Sequence, residues 1–332
     1  MAAGLRRRAV MQTLLAGAWP LAQAQAQAQA QAKPFPERTV RLVVPYSVGV
    51  GPDVVARSVA QQLEAKWGQS VLVDNKPGAS GIVAFGDVRR TPPDGHTLYL
   101  ADTATLAVNP LLHATLPYDA TLDLLPLTLL FRATFLIWVG GGSRFRKLGE
   151  LLDAARHPGE QVSYASLGNG HASHVAIETF AHAAGVRMLH VPFKDAGTML
   201  AAVAAGDIDF TVMGINTVGG LASSGRLRPL AVAARQRLAV LPDVPTLPEA
   251  GGPAVEMHPW AALVARAGTP PDVVARLLHD LAAVMSQGVV RSRAELAGFE
   301  ITPSTPQGLR DRIHADVTLV RPLLEHGRIA RL

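Results

Sequence analysis

The feature that most constrains the fold is a regular alternation, after Pro36, of short apolar runs with longer stretches of helical length. The apolar runs have the length of buried strands, and several of them end in a glycine-rich turn. Strands separated by helices imply parallel sheets with right-handed crossovers. Strands are predicted at residues 39–44, 70–74, 97–101, 162–165, 187–191, 208–213, 227–233 and 261–265, with another inside 127–139. Helices are predicted at residues 53–66, 82–90, 147–156, 172–184, 196–205, 272–286, 289–297 and 306–325.

A run of three glycines, residues 140–142, divides this alternation into two parts. It is the most flexible tract in the sequence, and it predicts a boundary between two α/β domains. In open parallel sheets, ligands bind beyond the carboxyl ends of the strands. Two doubly wound domains that face one another would therefore enclose a ligand cleft.

The N-terminus has the three regions of an export signal. Arg6, Arg7 and Arg8 precede an apolar stretch, residues 9–21, and an Ala/Gln tract, residues 22–32, offers A-x-A cleavage sites. The apolar stretch is too short to remain as a membrane-spanning helix. We therefore predict that residues 1–32 are a cleaved signal peptide and that the mature protein is periplasmic. The arginine pair leaves twin-arginine export open beside the general route.

Composition excludes several classes of function. The chain has no cysteine, which excludes disulfides, thiolate metal sites and cysteine catalysis. Aromatic residues make up only 5%, which argues against a stacking platform for single-stranded nucleic acid. Loss of the leader arginines lowers the net charge from +5 to about +2, and no basic stripe remains to bind nucleic acid. We predict no cofactor and no nucleic-acid partner.

Glycine-rich loops follow three of the predicted strands. They are residues 45–53 (PYSVGVGPD), 76–81 (KPGASG) and 164–174 (YASLGNGHASH). A helix that begins after such a loop presents free N–H groups and a positive dipole end, which suit an anion. Asp53 is predicted as the N-cap of the first helix. A tight turn without a ligand explains the first loop equally well, but three such loops together indicate one small anionic ligand.

The first loop also imitates a dinucleotide-binding fingerprint. Gly49 and Gly51 follow a strand, and Asp74 ends the next strand, where an acid would bind a ribose. Val54 occupies the third glycine position, however, and Pro52 interrupts the turn. The fingerprint is incomplete, so a nicotinamide cofactor is not predicted.

Two possible catalytic arrangements lack the motif that each would need. His171, His174 and Glu178 have a spacing that places them on one helix face, but it matches no H-E-x-x-H zinc motif. No G-x-S-x-G motif exposes a serine, and nothing pairs Glu256 and His258 with a nucleophile. We predict no metal site, no catalytic residue and no enzymatic activity.

Read in order, the segments between Pro36 and the C-terminal helix resemble the substrate-binding proteins of tripartite tricarboxylate transporters, the Bug family. The resemblance rests on their order and spacing together. The segments that carry it include VRLVVPYSVGVGPDVVAR (40–57), VLVDNKPGASG (71–81), YASLGNGHASH (164–174), HVPFKDAG (190–197) and LPDVPTLPEAG (241–251).

The resemblance implies a type II periplasmic-binding-protein fold, the Venus flytrap, with a ligand cleft between two doubly wound domains. One domain would comprise residues 36–134 and 256–332, and the other residues 135–255. The partners would be a small carboxylate or amino-acid-like ligand and the membrane subunits of a transporter, and the protein would be a monomer. The implied ligand contacts are Tyr46, Ser47, Val48, Gly49, Val50, Gly51, Ser80, Gly81, Thr103, Ala104, Ser166, Gly168, Asn169, Gly170 and Asp195.

The chain departs from the family pattern at some of these positions. Ser47, Val48 and Val50 replace a proline and glycines in the first loop, and Ile82 replaces an asparagine. Asp195 stands where the family usually has glycine. A carboxylate there would repel a second ligand carboxylate, so we hypothesise a ligand with one carboxylate and an amine.

Met213 is a further departure, at a position where the family often has aspartate.

Two other functions stay open beside transport: a binding protein that serves a sensory receptor, and a hydrolase on the same fold. The hydrolase predicts turnover that is sensitive to His174→Ala.

Overall fold

Two mixed sheets, each covered by helices, carry the fold in a computed structural model that describes residues 35–332. The predicted signal peptide, residues 1–32, lies outside the described residues. The strands are β1 (Val40–Val44), β2 (Val71–Asn75), β3 (Thr97–Asp102), β4 (Leu124–Ala133), β5 (Phe135–Gly140), β6 (Ser163–Ser166), β7 (Leu189–Pro192), β8 (Phe210–Gly214), β9 (Leu227–Val232), β10 (Trp260–Arg266) and β11 (Phe299–Ile301).

The helices follow the predicted alternation closely. They are α1 (Gly51–Trp67), α2 (Ile82–Val88), α3 (Asn109–Leu112), α4 (Leu148–Arg156), α5 (Ala172–Ala183), α6 (Ala196–Ala205), α7 (Ile215–Ser223), α8 (Pro271–Met285), α9 (Gly288–Leu296) and α10 (Pro306–Glu325). A 3₁₀ turn (Ala79–Gly81) precedes α2, and a π-helical segment (Ala104–Val108) precedes α3. The sequence patterns missed α3, α7 and β11, which are short or, in α7, rich in glycine.

The five strands of the second sheet repeat the arrangement of five strands in the first, which has a sixth strand, β11, at its edge. Their strand orders are β11-β4-β10-β3-β1-β2 and β7-β6-β8-β5-β9. In the first, β1 is parallel to β2 and β3, while β10 is antiparallel to β3 and β4. In the second, β6 is parallel to β7 and β8, while β5 is antiparallel to β8 and β9.

The prediction of parallel sheets therefore holds for β1, β2 and β3 and for β6, β7 and β8, but not for the strands beside them. The reason for the antiparallel strands is the path of the chain. It leaves the first sheet at Thr134, between β4 and β5, and returns just before β10. Both crossings lie where the parallel strands end, since Phe135 pairs with Gly214 at the end of β8 and Ala261 pairs with Asp102 at the end of β3. A strand that starts at this edge must run against its parallel neighbours.

The glycine run that was predicted as a boundary has a different role. The chain crosses between the sheets at Thr134, whereas Gly140 ends β5 inside the second sheet. A Cβ atom on Gly140 would lie 2.6 Å from the carbonyl oxygen of Val203, and one on Gly141 would lie 2.1 Å from that of Gly225. The glycines allow close backbone packing and do not form the hinge. All strands of the second sheet lie within residues 135–232, but the predicted domain limits stay a prediction.

A separate apolar cluster joins the two halves, in addition to the cores that pack against the sheets. Val108 and Leu112 from the first half pack with Val175 of α5 and with Val320, Leu323 and Ile329 near the C-terminus. Beside this cluster, Arg328 forms a salt bridge of 3.3 Å with Glu178 of α5, and both side chains are less than a tenth exposed. We call the segment 326–332 with these contacts the C-terminal clasp.

The lengths and composition of the helices bear on membrane insertion. Among residues 35–332, no individual helix combines the length and apolar character needed to cross a membrane. The pair α8 and α9 meets that requirement only when its two members are taken together across a 69° bend.

Candidate functional site

The carboxyl ends of the parallel strands in both sheets point toward the crossings, so the loops that follow them meet across a cleft. The crossing strands are bonded to one another there, with Phe135 N donating to Met257 O at 3.1 Å and Ala133 N donating to Pro259 O at 2.8 Å. Loops after β1, β2 and β3 form one wall of the cleft, and loops after β6 and β7 form the other. This is the hinged arrangement that a Venus flytrap requires.

The first loop is held in place by Asp53, but not as predicted. The N-cap of α1 is Val50, and Asp53 lies within the first turn, because Pro52 is well suited to a helix start. The Asp53 carboxylate instead accepts hydrogen bonds from Gly49 N at 2.8 Å, Arg57 Nε at 2.9 Å and Asn75 Nδ2 at 2.8 Å. Burial opposes its ionisation, yet these donors outweigh burial and lower the pKa of Asp53.

This anchoring leaves the predicted contact residues of the first loop accessible. Ser47, Val48, Gly49 and Val50 are exposed, and Gly51 begins α1. Val48 is 70% exposed, which is unusual for a valine and shows that the substituted loop presents apolar surface.

The second loop is a strained turn fixed by two neighbours. Ser80 has a positive φ of 47°, its side chain is exposed, and its carbonyl oxygen accepts from Asn109 Nδ2 at 2.9 Å. Gly81 also has a positive φ, of 89°, and its carbonyl oxygen accepts from Tyr99 OH at 3.3 Å. These two hydrogen bonds fix the conformation of the turn and leave the Ser80 side chain exposed. Ile82, a departure from the family pattern, is the first residue of α2.

The end of β3 carries a residue that sequence reasoning missed. The Asp102 carboxylate accepts from Tyr46 OH at 2.7 Å and from Thr105 N at 2.8 Å. Burial and the charge of Asp102 raise the pKa of Tyr46 well above its usual value. Thr103 bonds the backbone of Trp260 through its hydroxyl, and Ala104 is buried. The sequence feature that indicates Asp102 as a site residue is its position at the end of an apolar strand, beside the first loop.

The third loop uses its own polar groups to hold its shape. Ser166 is fully buried, with Oγ 2.6 Å from His190 Nε2 and 3.2 Å from Gly168 N, which donates to it. Gly170 N donates to His174 Nδ1 at 3.1 Å, and Asn169 Nδ2 donates to Ala330 O in the C-terminal clasp at 2.9 Å. Because Ser166 is inaccessible, its pairing with a histidine cannot make it a nucleophile.

Histidines and Glu178 behind this loop have structural partners. The rings of His174 and His190 stack at 3.9 Å, and burial lowers the pKa of His174 to about 3, with the two neighbouring histidines adding to the effect. Glu178 accepts from Tyr164 OH at 2.6 Å and pairs with Arg328. No metal cluster of three or more ligating side chains exists in the part of the chain that the structure describes.

Asp195, the basis of the amine hypothesis, is the N-cap of α6. Its carboxylate accepts from Thr198 N at 2.9 Å and from Thr198 Oγ1 at 2.8 Å, and the side chain is exposed. Hydrogen bonds from Thr198 and Gly197 lower the pKa of Asp195. Met213 is buried, and its carbonyl oxygen accepts from Trp138 Nε1 at 3.0 Å. The amine hypothesis stays a prediction, but the Asp195 carboxylate that motivated it caps the N-terminus of α6.

Sequence comparison decides the family. The sequence model of the tripartite tricarboxylate transporter family receptor matches residues 55–326. The chain belongs to this receptor family. A relative encoded in the tcbD-tcbE intergenic region of Pseudomonas sp. strain P51 is 32% identical over 297 residues, which cover 89% of this chain and 88% of the relative. BugT of Bordetella pertussis is 29% identical, over 86% of this chain and 90% of BugT.

Solved structures of similar proteins have the same fold. The R. palustris protein Rpa4515 with adipate is 30% identical, with a TM-score of 0.79 over 90% of this chain and all of that one. MatC from Rhodopseudomonas palustris with bound malate is 28% identical, with a TM-score of 0.75 over 87% of this chain and 99% of MatC. The predicted family and the predicted Venus-flytrap fold are confirmed. The predicted ligand contacts stay a prediction.

Proposed function

We propose that this chain is the extracytoplasmic solute-binding protein of a tripartite tricarboxylate-type transporter and that it captures a small carboxylate in the cleft. The observation that carries the proposal is the pair of loop walls, one from each sheet, that meet across two hinge strands in a member of the receptor family. Ligand binding would close such a hinge, and the closed form would be recognised by the membrane subunits.

The first loop offers the donors that a carboxylate needs. In the third loop, the N–H groups of Leu167, Gly168 and Gly170 are already bonded to side chains of that loop and of α5. In the first loop, Gly49 N is bonded to Asp53, while the N–H groups of Ser47 and Val48 have no partner among residues 35–332. These groups lie beside the positive end of α1, where an anion is stabilised without a lysine or arginine.

Location and assembly complete the proposal. The leader, Arg6–Arg8 with the apolar residues 9–21, supports export and cleavage, and a receptor of this family works outside the cytoplasm. Because a flytrap opens and closes as one chain, we propose that the protein is a monomer. The family is one of receptors, which supports binding without turnover.

Thermal-shift and calorimetric titration of the chain without its leader test this function. We expect one class of carboxylate to raise the Tm, because a ligand that binds only the folded state stabilises it by mass action. The neutral amide of the same compound is the matched control and should give no shift. A protein that no mono-, di- or tricarboxylate stabilises, or that prefers the amide, would contradict the proposal.

A further inference from the structure

One hydrogen-bonded contact joins the two halves of the molecule through the ends of two helices. Asn216, in the first turn of α7, donates from Nδ2 to Leu296 O at 2.9 Å and to Glu295 O at 3.4 Å, at the end of α9. The last carbonyl groups of a helix lack partners within it and form its negative end, so a side-chain amide is a suitable donor there. We call this contact of Asn216 with residues 295–298 the α7–α9 latch.

The latch lies beside the crossing of the chain at Thr134. Phe135, just after the crossing, pairs with Gly214, and α7 begins at the next residue. Ala133, just before the crossing, pairs with Phe299, which begins β11 beyond the end of α9. The two sides of the latch are therefore attached to strands on the two sides of the hinge. A hydrogen bond is lost beyond about 3.5 Å, so a hinge motion that separates α7 from α9 must break the latch.

Gly298 allows Asn216 to approach the backbone of the latch closely. A Cβ atom on Gly298 would lie 2.6 Å from Nδ2 of Asn216 and 2.8 Å from its Cγ. Gly298 N donates to Glu295 O at 2.9 Å, which closes the last turn of α9. Asn216 therefore packs directly on the turn that ends α9, with no side chain between them.

The same turn supports the first loop of the cleft. A Cβ atom on Gly51 would lie 2.6 Å from Phe299 Cε2 and 3.3 Å from Ala297 O, so α1 begins against this turn. The ring of Phe131 holds Phe299 from the other side of the contact, with ring centroids 4.3 Å apart. A displacement of the end of α9 would therefore move the support of the first loop.

We propose that Asn216 is a positioning residue of the receptor: it holds the second half against the end of α9, and through that end it couples closure of the halves to the conformation of the first loop. A solute that orders the first loop would then favour the latched arrangement, and the latched arrangement would favour solute binding to the same degree. The inference rests on the proposed function, but the latch can be measured without a solute, so each can fail without the other.

Asn216→Asp breaks the latch without weakening α7. The new carboxylate would face carbonyl oxygens at the negative end of α9, whereas a negative charge in the first turn of α7 is favourable. Thr217→Asp is the matched control, because it places the same charge on the next exposed residue of α7. Both variants should keep the wild-type Tm within about 2 °C, as surface substitutions do.

The distance between the halves decides whether the latch holds them. The chain has no cysteine, so Ala65→Cys on α1 and Ala201→Cys on α6 can carry two spin labels at exposed positions. These helices pack on α9 and α7 respectively, so their separation reports the state of the latch. Double electron–electron resonance on the solute-free chain should give the same distances for wild type and Thr217→Asp, and a shift to longer distances for Asn216→Asp. An unchanged distribution in Asn216→Asp would overturn the proposal.

Hydrogen exchange tests the coupling to the first loop. Gly49 N is bonded to Asp53, and Val54 N is bonded to Val50 O. Peptides that cover residues 45–54 should exchange about threefold faster or more in Asn216→Asp than in Thr217→Asp, because loss of the support at Gly51 weakens these bonds. Equal exchange in the two variants would overturn the coupling even if the halves separate.

Discussion

The second loop of the cleft requires glycine at position 81, because there is no space for a side chain there. A Cβ atom on Gly81 would lie 2.4 Å from Thr105 Oγ1 and 2.8 Å from Tyr99 OH. Thr105 in turn donates to Asp102, which also accepts from Tyr46 OH. The conformation of one turn and the orientation of the acid on the cleft wall therefore depend on the same small space.

Gly81→Ala should destabilise the protein and weaken solute binding together. The positive φ and the two close contacts lead us to expect a loss of about 2 kcal/mol in the free energy of unfolding. Urea unfolding and calorimetric titration measure the two effects. Gly86→Ala, in α2 with open space around its Cβ, is the control and should be neutral or slightly stabilising. Equal effects of the two substitutions would contradict this account.

At the residue scale, sequence reasoning found the loops but not all of the groups that matter in them. The glycines of the first and third loops were recognisable because their backbone role is local. The role of Asp102 depends on its bond to Tyr46 of the first loop, at a sequence separation that no local pattern reports. Asp53 was recognised as important, but its bonds to Gly49 and Asn75 could be learned only from the folded loop.

At the scale of elements, local caps explain which boundaries could be predicted. The predicted ranges 196–205 and 306–325 match α6 and α10. Asp195 and Thr305 cap these two helices with their own side chains, and such signals are visible in the sequence. The division of the apolar run 127–139 at Thr134 was not visible, because it depends on which sheet each strand joins.

Asp195 should prove to be a helix cap with no part in solute selection. Asp195→Ala should lower the Tm near neutral pH and leave the affinity for carboxylates unchanged, whereas Asp195→Asn should keep most of the stability. A change in the preference between an amino acid and its deaminated analogue would instead revive the amine hypothesis.

The pH dependence of the same variants gives an independent check. The pKa of Asp195 is lower in the folded protein than its ordinary value of about 3.9. Its stabilisation should therefore be complete above that value and be lost as the pH falls through the folded pKa. The difference in Tm between wild type and Asp195→Ala should shrink in this acidic range, and a constant difference would argue against the ionised cap.

At the scale of the whole molecule, the C-terminal clasp joins the halves at a third place beside the two crossings. Leu332 N donates to Leu112 O, and Ala114 N donates to Leu332 O, so the last residues pair with the first half. Asn169 and Glu178 of the second half bond to the same segment. The clasp therefore connects the third loop of the cleft to residues 112–114 of the first half.

Arg328→Met should cost about 3 kcal/mol of folding free energy, because it leaves the Glu178 carboxylate buried without its charge partner. Arg187→Met is the matched control, since the exposed Arg187 bonds the carbonyl oxygen of His326 in the same segment. We expect the control to change stability by about 0.5 kcal/mol or less. Urea unfolding of both variants checks the difference, and equal losses would show that the buried pair has no special weight.

The two sheets differ in whether their strands are contiguous in the sequence. The second is contiguous, since its strands begin with β5 and end with β9. The first needs β10, which lies between β3 and β4 and comes after the whole of the second in the chain. As the polypeptide emerges from the ribosome or from a translocation channel, the second sheet has all of its strands while the first still lacks a central one. The half that begins first is therefore the half that is completed last.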